Sequence, residues 1–108
     1  MNCKPASNKE IRAMFNRLVE EDGILVPVKL RIVKEVPREG CADFGGNEKD
    51  GFVIRIEKGM CHTCARDALL HEWAHLRVRV KHGLDERDHG PWWGREHARL
   101  YRIYVKTE

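Results

Sequence analysis

The chain has 108 residues, 42% of them hydrophobic and 34% charged, with a formal net charge of +3 and a pI near 8.8. That length holds one core and argues against a second folded module, so a single domain over residues 1–108 is expected. No apolar run approaches the ~20 residues of a membrane helix, and the mild basicity is compatible with an anionic partner without requiring one.

Ser7 and Glu10 have the spacing of a capping box, and Ile11, Met14, Phe15, Leu18 and Val19 recur at helical spacing until Gly23. The first predicted element is therefore an amphipathic helix. After Pro27, Val28, Leu30 and Ile32 alternate with Lys29, Arg31 and Val33; later Phe52, Ile54 and Ile56 alternate with Val53, Arg55 and Glu57. Both stretches predict half-buried strands. The intervening "PREGCADFGGNEKDG" is rich in glycine and charge, with "CADF" as a short third strand. Thr63 is placed to cap a helix running to about Lys81, in which Leu69, Trp73, Leu76 and Val80 fall within about 60° of one another and face the core. Pro91 suits the first position of a last helix, along which Trp93, Leu100 and Tyr104 form an apolar stripe. The order predicts an α+β fold: an N-terminal helix, a small, mostly antiparallel three-stranded sheet and two further helices.

The four cysteines are Cys3, Cys41, Cys61 and Cys64. The opening "MNCKPASNKE" has no apolar core of a secretory signal, so a cytoplasmic or DNA-associated location is expected, with reduced, mostly buried thiols and no disulfide. Cys61 and Cys64 form a lone C-x-x-C, which reaches a four-thiolate zinc site only if the fold also gathers Cys3 and Cys41.

The strongest chemical signal is "HEWAH". His71 and His75 lie about 40° apart on the helix, nearly opposite the Leu69, Trp73, Leu76 and Val80 stripe, so both imidazoles can reach one ion. Ala68, Ala74 and Val78 flank them, which suits a covered face better than a solvated one. Glu72 is placed to take a proton from a water at that ion and to pass it to a leaving amine. A catalytic zinc takes three protein ligands and keeps a fourth position open. The metzincin pattern fails, because Val78 and Lys81 occupy its glycine and third-histidine places. His82, His89, Glu96 and His97 remain as third-ligand candidates; a loop before Gly90 and Pro91 gives His89 the reach, while Glu96 suits a carboxylate on a later helix.

"HEWAH" followed by "DHGPWWGREHARLYR" resembles the SprT-like, Spartan-type zinc metallopeptidases, whose pattern is H-E-x-x-H and then H-G-P-x-aromatic. The resemblance covers roughly residues 52–104, and the strand "FVIRIE" before the metal helix is similar to the family's order. It implies a zincin-like core with one catalytic Zn2+, His71, His75 and His89 as ligands, Glu72 as catalytic base and Trp93 as the aromatic behind them. It also implies a protein or peptide substrate, with DNA-associated proteins as a candidate class. The chain departs from the larger members in the 13 residues between His75 and His89, and no zinc ribbon is expected after the core. A core of this size also suits a phage or mobile element.

The reading adopted is a zinc endopeptidase with its cleft between the last strand and the metal helix, where a substrate chain adds to that strand's free edge. The alternative is a zinc-stapled binding or regulatory, antirepressor-like protein without catalysis. Arg95, Arg99, Arg102 and Lys106 lie within about 60° on the last helix, a candidate DNA contact or a solvated face. Tyr101 and Tyr104 are candidate oxyanion donors, His97 a packed residue, and Trp92 and Trp93 anchors of the last helix. No membrane partner and a monomeric state are expected.

Overall fold

The computed structural model describes residues 4–36, 41–83 and 89–106; Cys3 lies outside them. Ser7 Oγ accepts from the Glu10 amide while the Glu10 carboxylate accepts from the Ser7 amide, and this reciprocal cap starts α1 (Asn8–Glu21). Its apolar face buries Ile11, Phe15 and Leu18, and the helix ends at Asp22, just before Gly23.

The three strands are β1 (Val28–Val33), β2 (Ala42–Asn47) and β3 (Gly51–Glu57). They form one sheet in the order β1-β3-β2. The antiparallel expectation holds for β2 with β3, in the register Phe44 opposite Ile54, whereas β1 runs parallel to β3, with Leu30 beside Ile54. The sheet is therefore mixed, and β3 is its centre. Strand alternation sends Phe52, Ile54 and Ile56 into the core, each fully buried, while Val53, Arg55 and Glu57 stay half-buried on the other face.

Two helices complete the fold: α2 (His62–His82) and α3 (Pro91–Tyr104). Cys61, not Thr63, is the N-cap of α2, because backbone pairing of Pro5 with Cys61 and the bond from the His62 amide to the Lys4 carbonyl fix the helix start two residues earlier. Gly83 closes the helix in the left-handed conformation, φ 67°. α2 is buried on several faces at once: Leu69, Trp73 and Leu76 point into the main core, and Ala74 and Val78 are covered as well. Phe15 meets Trp73 edge-on at 6.0 Å, which seats α1 against α2. Pro91 opens α3 as expected, and Leu100 and Tyr104 bury its inner face.

An ion-pair cluster pins the three helices together. Asp22 accepts from Arg99 at 2.7 and 3.0 Å and from the Trp73 indole at 3.0 Å, while Arg77 donates to the Asp22 and Gly23 carbonyls. Glu96 joins from α3 through Arg99 at 3.0 Å.

The cysteines depart from expectation. Cys61 is disulfide-bonded, and Cys41 and Cys64 are free but exposed instead of buried. Exposure follows from position: Cys64 sits in the outer first turn of α2, and Cys41 leads into edge strand β2.

Candidate metal centre

α2 carries His71 and His75 one turn apart, and the segment entering α3 brings His89 to them. The ligand atoms of the three imidazoles all lie within 4.8 Å of one another, and Nε2 of His89 stands 3.0 Å from Nε2 of His71. Two nitrogens of a tetrahedral zinc site are about 3.3 Å apart, given Zn–N of about 2.0–2.1 Å. The donor set therefore fits one ion, and it is the one such group among the described residues. His89 achieves this with a left-handed backbone, φ 57°, unusual for a residue other than glycine.

The support around the three rings is aromatic. Trp93 packs against His71, His75 and His89 with ring centroids 5.0, 5.5 and 4.3 Å away, and its indole N–H donates to the His71 carbonyl at 3.3 Å. Trp93 thereby helps to fix α3 to α2, beside the ion pairs of Arg77 and Lys81 with Glu96. From the sheet, Phe44 approaches the His75 ring at 5.7 Å. Nothing in "CADF" announced that contact; it follows from Phe44 sharing a sheet face with Ile54.

The competing third ligands are occupied elsewhere. Glu96 is buried among Arg99, Arg77 and Lys81, at 3.0, 3.5 and 3.8 Å. His97 stacks on Trp93 at 4.7 Å, with its centroid 6.4 Å from that of His71, and His82 stacks on Trp92 at 4.1 Å. His89 alone of the four joins the pair.

Charge within the site follows from burial. Burial, then repulsion from His89 and His97, lowers the His71 pKa, which favours the neutral ring that a metal requires. Glu72 is 7% exposed; burial first and the Asp43 charge second push its carboxyl up to about 7. A dication bound at the three histidines would favour the ionised form of such a group.

Other expectations resolve differently. Tyr104 is buried on the α1 side, with the Arg17 guanidinium 4.9 Å over its ring, and Tyr101 stands 6.5 Å from His97 without contact to the ligand rings. Of the basic stripe, Arg95, Arg102 and Lys106 are exposed, while Arg99 is engaged by Asp22 and Glu96. Because β3 is central, its edges are both paired, and the free edge near the histidines belongs to β2. The Glu57 amide donates to the Cys41 carbonyl, so by antiparallel alternation the peptide groups of Ala42, Phe44 and Gly46 face outward. No helix among the described residues is long and apolar enough to cross a membrane. Comparison with protein-family models, with curated proteins and with solved structures returned no match.

Proposed function

We propose that the chain is a zinc metallopeptidase that hydrolyses peptide bonds of a protein substrate. The observation that carries this reading is the convergence of His71, His75 and His89, with Glu72 buried on the same helix between the first two in sequence. Three imidazoles with no fourth donor gathered to them among the described residues match catalytic sites better than structural ones, which close with four. A zinc ion held by these residues supplies Lewis acidity, polarising a carbonyl and lowering the pKa of water toward about 7.

The chain's own groups do the rest. Glu72 accepts a proton from the attacking water and delivers it to the departing amine nitrogen. Trp93 and Phe44 keep the imidazoles oriented. An extended substrate pairs with the outward peptide groups of Ala42, Phe44 and Gly46, which supports binding through main-chain hydrogen bonds rather than a particular sequence. DNA-associated proteins are the substrate class implied by the family resemblance, and α3 offers exposed Arg95, Arg102 and Lys106 toward such a complex.

The test is Glu72→Gln, which preserves volume and removes the base. Metal analysis should find one zinc per chain in wild type and variant alike, and casein digestion by the variant should fall by about 10²–10⁴-fold. Cleavage at the wild-type rate by a zinc-loaded Glu72→Gln protein would overturn the mechanism, and a wild type that binds zinc but cleaves nothing would favour the zinc-stapled alternative.

A further inference from the structure

Away from the histidine cluster, α1 and the first half of α2 leave a cavity of about 220 Å³ between them. Its floor is apolar: Leu18, Leu69 and Leu70 are buried there, and the partly buried Met14 supplies an adaptable thioether wall. The rest of its lining is Arg17, His62, Arg66 and Tyr104, so no acidic side chain borders it. Arg17 and His62 each have about half of the side chain in solvent, which puts them at the mouth.

The cations are held in position. The Arg17 guanidinium lies over the Tyr104 ring at 4.9 Å, and its bonds to Glu21 both come from Nε, which leaves the two Nη groups outside that pair. Arg66, with 18% of its side chain exposed, meets Asp67 at 3.2 Å through Nε as well. His62 enters from the first turn of α2, the positive end of that helix, where no acidic side chain opposes it. An apolar floor beneath a basic mouth is the complement of an amphiphilic anion.

We propose that this cavity binds a monocarboxylate with an unbranched alkyl tail, the chemistry of a medium-chain fatty acid. Tail size follows from the volume. An apolar cavity of about 150 Å³ accepts benzene, so this one takes roughly nine non-hydrogen atoms, close to octanoate with its carboxylate at the mouth. The head group follows from the donors, because a guanidinium offers a planar fork that a carboxylate meets with both oxygens. Each arginine already shares its charge with one carboxylate, which suits a monoanion better than a dianionic phosphate. None of the lining residues is a ligand histidine or Glu72, so the site stands apart from the peptidase reading.

Calorimetric titration and methyl NMR of the full chain test this, with zinc present and again in chelator. One octanoate per chain should bind in both conditions, and the shifts should centre on the methyls of Met14, Leu18, Leu69 and Leu70. Affinity should rise about fourfold for each carbon added from butanoate to octanoate, the effect of burying one methylene, and stop rising once the tail outgrows the cavity. Octan-1-ol on wild type, and octanoate on protein carrying Arg17→Gln and Arg66→Gln, should each bind about tenfold more weakly or worse. Octanoate that fails to saturate at about 10 mM, or binds only when zinc is present, would overturn the proposal. So would octan-1-ol binding as tightly as octanoate, or full octanoate affinity in the double variant. The alcohol comparison uses wild type alone, so the proposal can fail even if the variant folds poorly.

Discussion

His89 completes the imidazole cluster from a backbone conformation that costs a residue with a Cβ about 1–3 kcal/mol. Gly90 and Pro91 hold it there: Pro91 occupies the first turn of α3 with Gly90 as N-cap, so the turn before the helix has little freedom to relax. If the strain serves ligation, glycine at this position should separate the two effects. His89→Gly is expected to keep the unfolding free energy of the metal-free protein within about 1 kcal/mol of wild type, because glycine accepts φ 57° readily. It should nevertheless weaken zinc binding by about a hundredfold or more, since two imidazoles remain. Urea unfolding in chelator and competition with a zinc indicator measure the two quantities. A loss of metal-free stability well beyond that range, with zinc affinity intact, would assign His89 a packing role. The sequence carried His71, Glu72 and His75 openly, because a four-residue spacing on a helix dictates proximity. His89 was only one of four candidates there, since reach across a loop is set by a backbone angle that no spacing encodes.

At the scale of elements, periodicity predicted the three helices and strands β1 and β3, because each period reports which face is buried, whereas β2 was expected only as the short CADF stretch and runs on to Asn47. Neighbour relations were less legible. A strand's alternation identifies its inner face but not its partners, so the parallel pairing of β1 with β3 and the outer place of β2 appear only in the structure. That ordering moves the proposed substrate edge from β3 to β2. Proline tolerates an edge position whose N–H faces away from the sheet. Ala42→Pro is accordingly expected to retain zinc and fold while kcat/KM for casein falls about tenfold, through one lost main-chain hydrogen bond. Unchanged kcat/KM would remove β2 from substrate binding. The helices meet at Asp22, whose role no motif disclosed. Burial opposes its charge, but hydrogen bonds from Arg99 and Trp73 and the Arg77 charge outweigh this and hold its carboxyl below the usual range. A depressed folded-state pKa contributes stability that is present above the unfolded carboxylate pKa and is lost as pH falls through the folded one. Asp22→Asn should therefore cost about 2–3 kcal/mol at pH 7, with the gap to wild type narrowing in acid. Urea midpoints at pH 7 and pH 3 check both the size and the sign; equal losses at the two pH values would contradict it.

For the molecule as a whole, the histidine cluster is also a mechanical junction. His71 and His75 belong to the helix at the centre of the core, whereas His89 belongs to the chain entering α3, and Trp93 bridges the two. An ion shared by the three rings would therefore link α2 to the segment that enters α3. Binding to the folded state alone adds RT ln(1 + [L]/Kd), about 2.7 kcal/mol at a hundredfold excess over Kd. For a domain near 100 residues each kcal/mol moves the melting temperature by roughly 4–8 °C, so saturating zinc should raise it by about 10–20 °C over protein in chelator. The contrast among variants gives the measurement its meaning. His71→Ala and His89→Ala should melt alike with and without zinc, while Glu72→Gln, which keeps all three ligands, should retain the full shift. A zinc-dependent shift that survived His89→Ala would place the ion elsewhere. A shift lost in Glu72→Gln would make that carboxylate a ligand, leaving the centre without its proton acceptor.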